Sequence, residues 1–490
     1  MNRNCILSIT LLLWVSAITL IARQPEIKEL KRGKDHEIDK QKFTTYEGHI
    51  IVPENRGNPT AKTIQLPVYI IKSKSKQPAE PVFWFTGGPG ASNIRRTNNL
   101  ALLENHDFIC VGYRGADGST ILKSKKIAKA MKGVNHKLLS NESLDNLGVK
   151  AKDYLAQLKK DGIDIRQYTI MEVIEDVEYV RRALGHEKIN LFSGSYGTRV
   201  ALLYSYKYPE VIKRSVMNGV NPPGHFVWDS RQTERILDLY DSLYKAQNLP
   251  DYKGSIKEAM KKSFEKMPKR WSFFKLDEDK IKTVTFALLF QKGSAVMAFD
   301  AFFSAANCND YSGLYLMQLA YDYLIPRGSI HGDLFQKGCA DFDPNINYRE
   351  KLKSDHTILG SNMALLLMGG ASSWYNGSIP EEYRKVRMSQ TETLMIGSNL
   401  DVSTPPENAT NELLPFLPNG HQVILKNMSH QDVSSLQADS YNKLVADYFD
   451  KGAVNESMFR YDEIDFKPAK RFSSLAKWYY PVVLIASIFK

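Results

Sequence analysis

Ser195 stands in Ser193-Gly194-Ser195-Tyr196-Gly197, between a short apolar run, Ile189 to Phe192, and a stretch from Tyr196 to Tyr208 that Pro209 stops. The apolar run has the length of a buried strand, and the second stretch reads as a helix. A serine flanked by small residues between strand and helix is the setting of a nucleophile elbow, a strained turn with the hydroxyl at its tip. Small flanks are needed because the two backbones approach closely there. Ser193 takes the place that the pattern usually gives to its first glycine. A serine hydroxyl is a poor nucleophile until a base takes its proton and an acid orients that base. Asp401 follows one strand-like run, Thr393 to Ile396, and His430 follows another, His421 to Lys426. Serine, acid and histidine in that chain order, each beyond a strand, predict a triad at one edge of a sheet. His421 is the competing histidine, but it begins its strand and so falls at the other end.

The oxyanion made by such an attack needs backbone N–H donors aimed at it. One is expected from Tyr196, the residue after the nucleophile. The other is expected from Gly87-Gly88-Pro89-Gly90, a loop that ends the strand-like run Pro81 to Phe85. Gly88 is the preferred donor and Gly87 the reserve, since glycine lets backbone approach a substrate closely.

Positioning these residues takes a layered α/β architecture. Further strand-like runs are Thr44 to Val52, Thr63 to Ile71, Phe108 to Gly112 and Arg214 to Asn218, which makes eight in all. Residues 91 to 106 and about 121 to 167 read as helical. Thr169 to Leu184 is a helix with Thr169 and Glu172 as a capping box and Gly185 at its end. Strands separated by helices predict a mostly parallel sheet covered on both sides. After Asn221-Pro222-Pro223-Gly224 the alternation stops, and residues 222–388 are mostly helical and rich in aromatics. Such an insertion reads as a cap over the carboxyl ends of the strands, where these sheets bind ligands. The expected division is thus a leader at 1–22, a loose charged lead-in at 24–42, core at 43–221, cap at 222–388, core at 389–450 and an extension at 451–490.

At 490 residues, 43% hydrophobic and 24% charged, the composition is that of a globular chain with a large core. The net charge is +11, but the lysines are scattered, without the arginine stripe or zinc spacing of a nucleic-acid binder. No nucleic-acid partner, metal or cofactor is expected. Met1-Asn2-Arg3-Asn4 followed by the apolar run Cys5 to Ile21 has the form of an export signal or an uncleaved anchor. This predicts a periplasmic, secreted or membrane-associated protein. Export implies an oxidising compartment, in which Cys308 and Cys339 are a candidate disulfide once Cys5 leaves and Cys110 is taken as core. The apolar end Trp478 to Phe489 is too short to span a bilayer. Docking against the domain and lying in a membrane interface are both open for it.

With these residues in view, the chain resembles the alpha/beta-hydrolase serine aminopeptidases of the prolyl iminopeptidase and tripeptidyl aminopeptidase group, with a TAP-like C-terminal region. The resemblance is carried by FTGGPGAS (85–92), the block YTIMEVIEDVEYVRRALGHEKINLFSGSYGTRVALLYSYKYPEVIKRSVMNGV (168–220), ANCNDYSG (306–313) and LMIGSNLDVSTPPENA (394–409) leading to His430. It implies an alpha/beta-hydrolase fold and an exported serine hydrolase that releases one to three residues from a peptide with a free N-terminus. An esterase or amidase for small hydrophobic acyl compounds, or a non-catalytic binding protein on the same scaffold, are the alternatives. Three positions depart from the group: Gly112 stands in the acidic place of D-x-R-G, Asn218 where L-D-G-V has its acid, and Thr86 where a histidine precedes the glycine loop. An aminopeptidase needs a carboxylate for the substrate's ammonium. Asp310 in the cap is the candidate.

Overall fold

The computed structural model describes residues 25–58, 62–248, 253–353, 355–374 and 379–488, with side chains as far as residue 480. The stretch expected as a leader, 1–22, with Cys5, lies outside them. A nine-stranded sheet organises the chain. Its strands are β1 (Lys28–Arg32), β2 (Thr45–Pro53), β3 (Thr63–Ile71), β4 (Ala79–Phe85), β5 (His106–Val111), β6 (Ile189–Gly194), β7 (Ile212–Asn218), β8 (Glu392–Ser398) and β9 (Gly420–Leu425). They lie in the order β1-β2-β3-β5-β4-β6-β7-β8-β9. Pairing is antiparallel from β1 through β3 to β5 and parallel from β5 onward. The central strands are near-continuous apolar runs because helices cover both faces, and β5 is buried at every position.

Two expectations about the early chain differ from the structure. The charged stretch 24–42 is not loose: Lys28–Arg32 adds the ninth strand, and His36–Ile38 pairs with Gln41–Phe43 as a small hairpin. All five residues of β1 are exposed, so no alternation marks it, and its lysines suit a sheet edge that should not recruit another strand. Residues 91–106 are helical only over Leu100–Asn105. Upstream, Asn93 acts as a plug: its Oδ1 accepts from Thr86 N–H and its Nδ2 donates to the carbonyls of Trp84 and Val111. Those bonds hold the chain across the strand ends and keep it from coiling.

The main helices are α1 (Asn141–Lys160), α2 (Ile170–Ala183), α3 (Tyr196–Lys207), α4 (Ser230–Ala246), α5 (Ile256–Glu265), α6 (Glu278–Leu288), α7 (Lys292–Cys308), α8 (Ser312–Leu324), α9 (His331–Gly338), α10 (Asn362–Trp374), α11 (Ala438–Lys451) and α12 (Phe472–Ile488). Thr169 caps α2 by accepting from Glu172 N–H, and Gly185 follows with φ +72°. Helices α2 and α3 pack on one face of the sheet and α11 on the other. Helices α4 to α10 form the cap around a separate apolar cluster. Helix α1 shares that cluster although it precedes the elbow in sequence. A Cβ at its Gly148 would lie 2.6 Å from Ser373 Oγ of α10, so glycine permits the close crossing.

Among the described residues no helix is long and apolar enough to cross a membrane. Helix α12 docks on the cap through its first turns. Arg471, just before it, pairs with Asp300 (3.1 Å), Lys477 pairs with Asp310 (2.7 Å), and Tyr480 meets the rings of Trp271 and Phe274 edge-on.

Candidate active site

Ser195 has φ 52° and ψ −125°, a left-handed backbone in a residue with a side chain. Such strain persists only where the surroundings fix it. Here Ser195 N–H donates to Asn218 O (2.7 Å) at the end of β7, and the Ser195 carbonyl accepts from Thr198 N–H (2.9 Å) and Thr198 Oγ1 (2.6 Å). Ser195 precedes the first residue of α3 without spending its hydroxyl on a cap, so Oγ is left for other work. The turn is tight enough that a Cβ on Gly197 would sit 2.1 Å from Phe85 O, which accounts for the second glycine.

Asp401 follows β8 and His430 follows β9, and His430 Nδ1 lies 2.7 Å from Asp401 Oδ2. The other carboxylate oxygen accepts from the N–H groups of Ser403 and Thr404 (2.8 Å each), while Thr404 Oγ1 donates to Oδ2 (2.7 Å). Both side chains are nearly buried, Asp401 at 1% exposure and His430 at 11%. Burial opposes charge on each. Their mutual attraction and hydrogen bond outweigh it, raising the imidazole above its ordinary pKa and holding the carboxyl below its own. The imidazole stands over Gly219, whose Cβ would be 2.9 Å from Cε1, and against the edge of Phe290. Gly219 follows directly on Asn218, the acceptor of Ser195 N–H. Serine and histidine thereby line one cavity of about 570 Å³ at the carboxyl ends of the strands. No hydrogen bond joins them among the described residues; bonds between a nucleophile and its base often tighten only in the complex with substrate.

The glycine loop closes the other side of the cavity. A Cβ on Gly87 would be 2.6 Å from Ser195 Cβ, so this backbone rests directly on the elbow. Gly88 (φ +73°) lines the cavity beside it. Tyr196 is the first residue of α3, where N–H groups lack an intrahelical partner. All three candidate oxyanion positions therefore face the same space as Ser195.

Two candidate assignments are corrected. Asp310 is not among the residues lining the cavity: its carboxylate is held by Lys477 (2.7 Å) and accepts from Ser312 N–H at the outer face of the cap. Cys308 and Cys339 are free thiols. Cys308 is exposed at the end of α7, whereas Cys339 is buried with its Sγ directed to Ala371 O (3.7 Å).

The departures from the resembled pattern also find a place. A Cβ on Gly112 would lie 2.8 Å from Asp117 Cβ, and the Asp117 carboxylate accepts from the N–H groups of Tyr113 (2.8 Å) and Asn93 (2.9 Å) and from Ser92 Oγ (2.6 Å). An acid five residues downstream thus fills the space beside Gly112. Arg114 is fully buried against Asp176 through two bonds of 2.7 and 2.8 Å, a structural role. Asn218 lines the cavity with its Oδ1 buried and without a partner among the described residues.

A family profile described as alpha/beta hydrolase fold matches residues 80–333, just over half of the chain. The chain is an alpha/beta hydrolase. A second profile, TAP-like protein, matches residues 359–459 of this hydrolase, the stretch that carries Asp401 and His430. It is 25% identical over 195 residues to a tripeptidyl aminopeptidase of Streptomyces lividans, covering 37% of this chain and 36% of that one. It is 26% identical over 191 residues to the putative hydrolase YuaR of Escherichia coli, covering 36% of each. It is 24% identical over 160 residues to the serine protease Hip1 of Mycobacterium tuberculosis, covering 28% of each. The matched region therefore spans about a third of the length of these relatives.

Among the described residues no group of three or more His, Cys, Asp or Glu side chains is placed to hold a metal ion. Thr404 is the partner that motif reading passed over. Its hydroxyl reaches both Asp401 Oδ2 (2.7 Å) and His430 Nδ1 (3.2 Å), and the Asp-x-x-Thr spacing was the available signal.

Proposed function

We propose that this alpha/beta hydrolase is an exported serine peptidase that releases short N-terminal pieces, one to three residues long, through an acyl-enzyme. The observation that carries the reading is the buried Asp401–His430 pair (2.7 Å) opening on the same cavity as the strained Ser195. In the reaction Ser195 Oγ attacks the scissile carbonyl and its proton passes to His430 Nε2. Tyr196 and Gly88 N–H groups receive the oxyanion. Collapse breaks the C–N bond, and the amine leaves with the proton from His430. Water, deprotonated by the same imidazole, then releases the acyl piece and restores Ser195. The relatives support peptide substrates. The leader at 1–22 supports export, and its removal or retention is read by fractionation and N-terminal sequencing.

One observation favours a second reading. The cavity lining contains Arg95 and His430 but no Asp or Glu among the described residues, so an ammonium anchor beside the nucleophile is missing. An esterase or amidase acting on apolar acyl groups, held among Trp84, Phe226, Trp228 and Phe290, needs no such anchor. Fluorophosphonate labelling separates both enzymes from a binding protein: Ser195 should be modified in the wild type and nothing in Ser195→Ala. A panel of aminoacyl and tripeptidyl amides beside short-chain esters then separates the enzymes. Turnover of tripeptidyl amides with a free amine, lost on N-acylation, is the expected result. Esters turned over while every amide is left intact would overturn the peptidase reading.

A further inference from the structure

The glycine loop is gripped by the cap through both polar backbone groups of one residue, Gly90. Gly90 N–H donates to Asp333 Oδ2 (2.9 Å), and Gly90 C=O accepts from Ile330 N–H (2.9 Å). Gly90 has φ +84°, and a Cβ there would lie 3.0 Å from Ile330 O and 3.1 Å from Leu334 Cβ, so the loop is seated tightly on the start of α9. Asp333 is completely buried, and so is Lys337 one turn later, whose Nζ lies 2.5 Å from Asp333 Oδ1 and also donates to Arg114 O (3.1 Å). A buried ion pair gives little net stability once its desolvation is counted. Apolar residues would fill that position more cheaply. What the pair does supply is a fixed, charged acceptor for Gly90 N–H.

We infer that Asp333 is a positioning residue for the oxyanion loop, through which the cap sets the catalytic rate. Gly90 is joined to Gly88 by Pro89, whose φ is locked by its ring. The Gly88 carbonyl accepts from Ala91 N–H (3.1 Å), closing the turn. Fixing Gly90 therefore restrains the direction of the Gly88 N–H, because the proline ring and the closed turn limit the torsions between them. This rests on the reading of Gly88 as an oxyanion donor. Donors must be aligned before charge develops, so a loosened loop loses transition-state binding and leaves ground-state binding alone. The effect falls on kcat.

Two double variants isolate the contact. Asp333→Asn with Lys337→Met removes both charges and keeps an acceptor for Gly90. Asp333→Leu with Lys337→Met removes both charges and the acceptor at nearly equal volume. The first should keep kcat within about threefold of wild type. The second should lose at least tenfold in kcat, with KM within twofold and a matching fall in the rate of fluorophosphonate labelling. Equal kcat in the two variants, or a loss confined to KM, overturns the inference. Should either variant fail to fold, hydrogen exchange on the wild type decides: the Gly90 amide should exchange as slowly as those of α9, and exchange at loop rates overturns it. A wild type that neither labels at Ser195 nor turns over any ester or amide would instead bring down the hydrolase mechanism itself, and this inference with it.

Discussion

At the scale of single residues, the site turns on how Asp401 sets the ionisation of His430. A buried imidazole resists its charge, yet the neighbouring carboxylate lifts His430 above the ordinary value of 6.5. As general base His430 must be neutral, so kcat/KM should rise with pH through an inflection above 6.5. Asp401→Asn removes the lifting charge and leaves burial unopposed. The inflection should then move below the ordinary value, while kcat falls roughly 10³- to 10⁴-fold through the wrong tautomer. An unmoved acidic limb in a pH–rate profile of this variant would count against the pair. Ser195, Asp401 and His430 were readable because a nucleophile, an acid and a base must each sit just past a strand, and strands announce themselves as apolar runs. The expected carboxylate for a substrate amine was not placed by the sequence. An acid in a helical cap has no such landmark, and Asp310 proved to be occupied by a lysine 167 positions away. Asp117 and Asp333 were hidden for the same reason, since each also accepts from a backbone N–H that only folding brings to it, Asn93 in one case and Gly90 in the other.

At the scale of elements, the elbow depends on a crossing between α3 and β4 with no room for a methyl group. Gly197→Ala would place Cβ 2.1 Å from Phe85 O, and the obstacle is backbone, which cannot rotate away. The expected cost is about 3 kcal/mol. A thermal scan should show a clear fall in Tm together with lost labelling at Ser195. A variant as stable and as reactive as wild type would mean that the crossing is looser than drawn. The elements flanking the elbow were legible to within a residue or two, because Thr169, Gly185 and Pro209 are local stop and start signals that act before tertiary contacts. The edge strand β1 and the irregular stretch before Leu100 were not. One is defined by its pairing with β2 and the other by the wiring of Asn93, and neither leaves a periodic trace.

At the scale of the whole molecule, the cap is bonded to the loops that carry Asp401, His430 and the glycines. Trp228 Nε1 donates to Ser403 O in the acid loop (3.0 Å), Phe290 O accepts from Gln431 N–H beside the histidine (2.8 Å), and α9 holds the glycine loop. Anything that loosens the cap should reach the site. Deleting residues 472–490 strips the Tyr480 ring from Trp271 and Phe274 and takes Lys477 away from Asp310. Re-exposing each large apolar side chain costs about 1.5–3 kcal/mol. The truncated chain should therefore show a lower Tm, more binding of an apolar dye and reduced kcat, and an unchanged Tm would show the helix to be an appendage. Of the three described thiols only Cys308 is exposed, and it lies two residues from the Asp310–Lys477 contact. A maleimide fluorophore would couple there in preference to the buried Cys110 and Cys339. Its emission would then follow, in real time and in an otherwise unaltered molecule, whether the terminal helix stays seated or peels away.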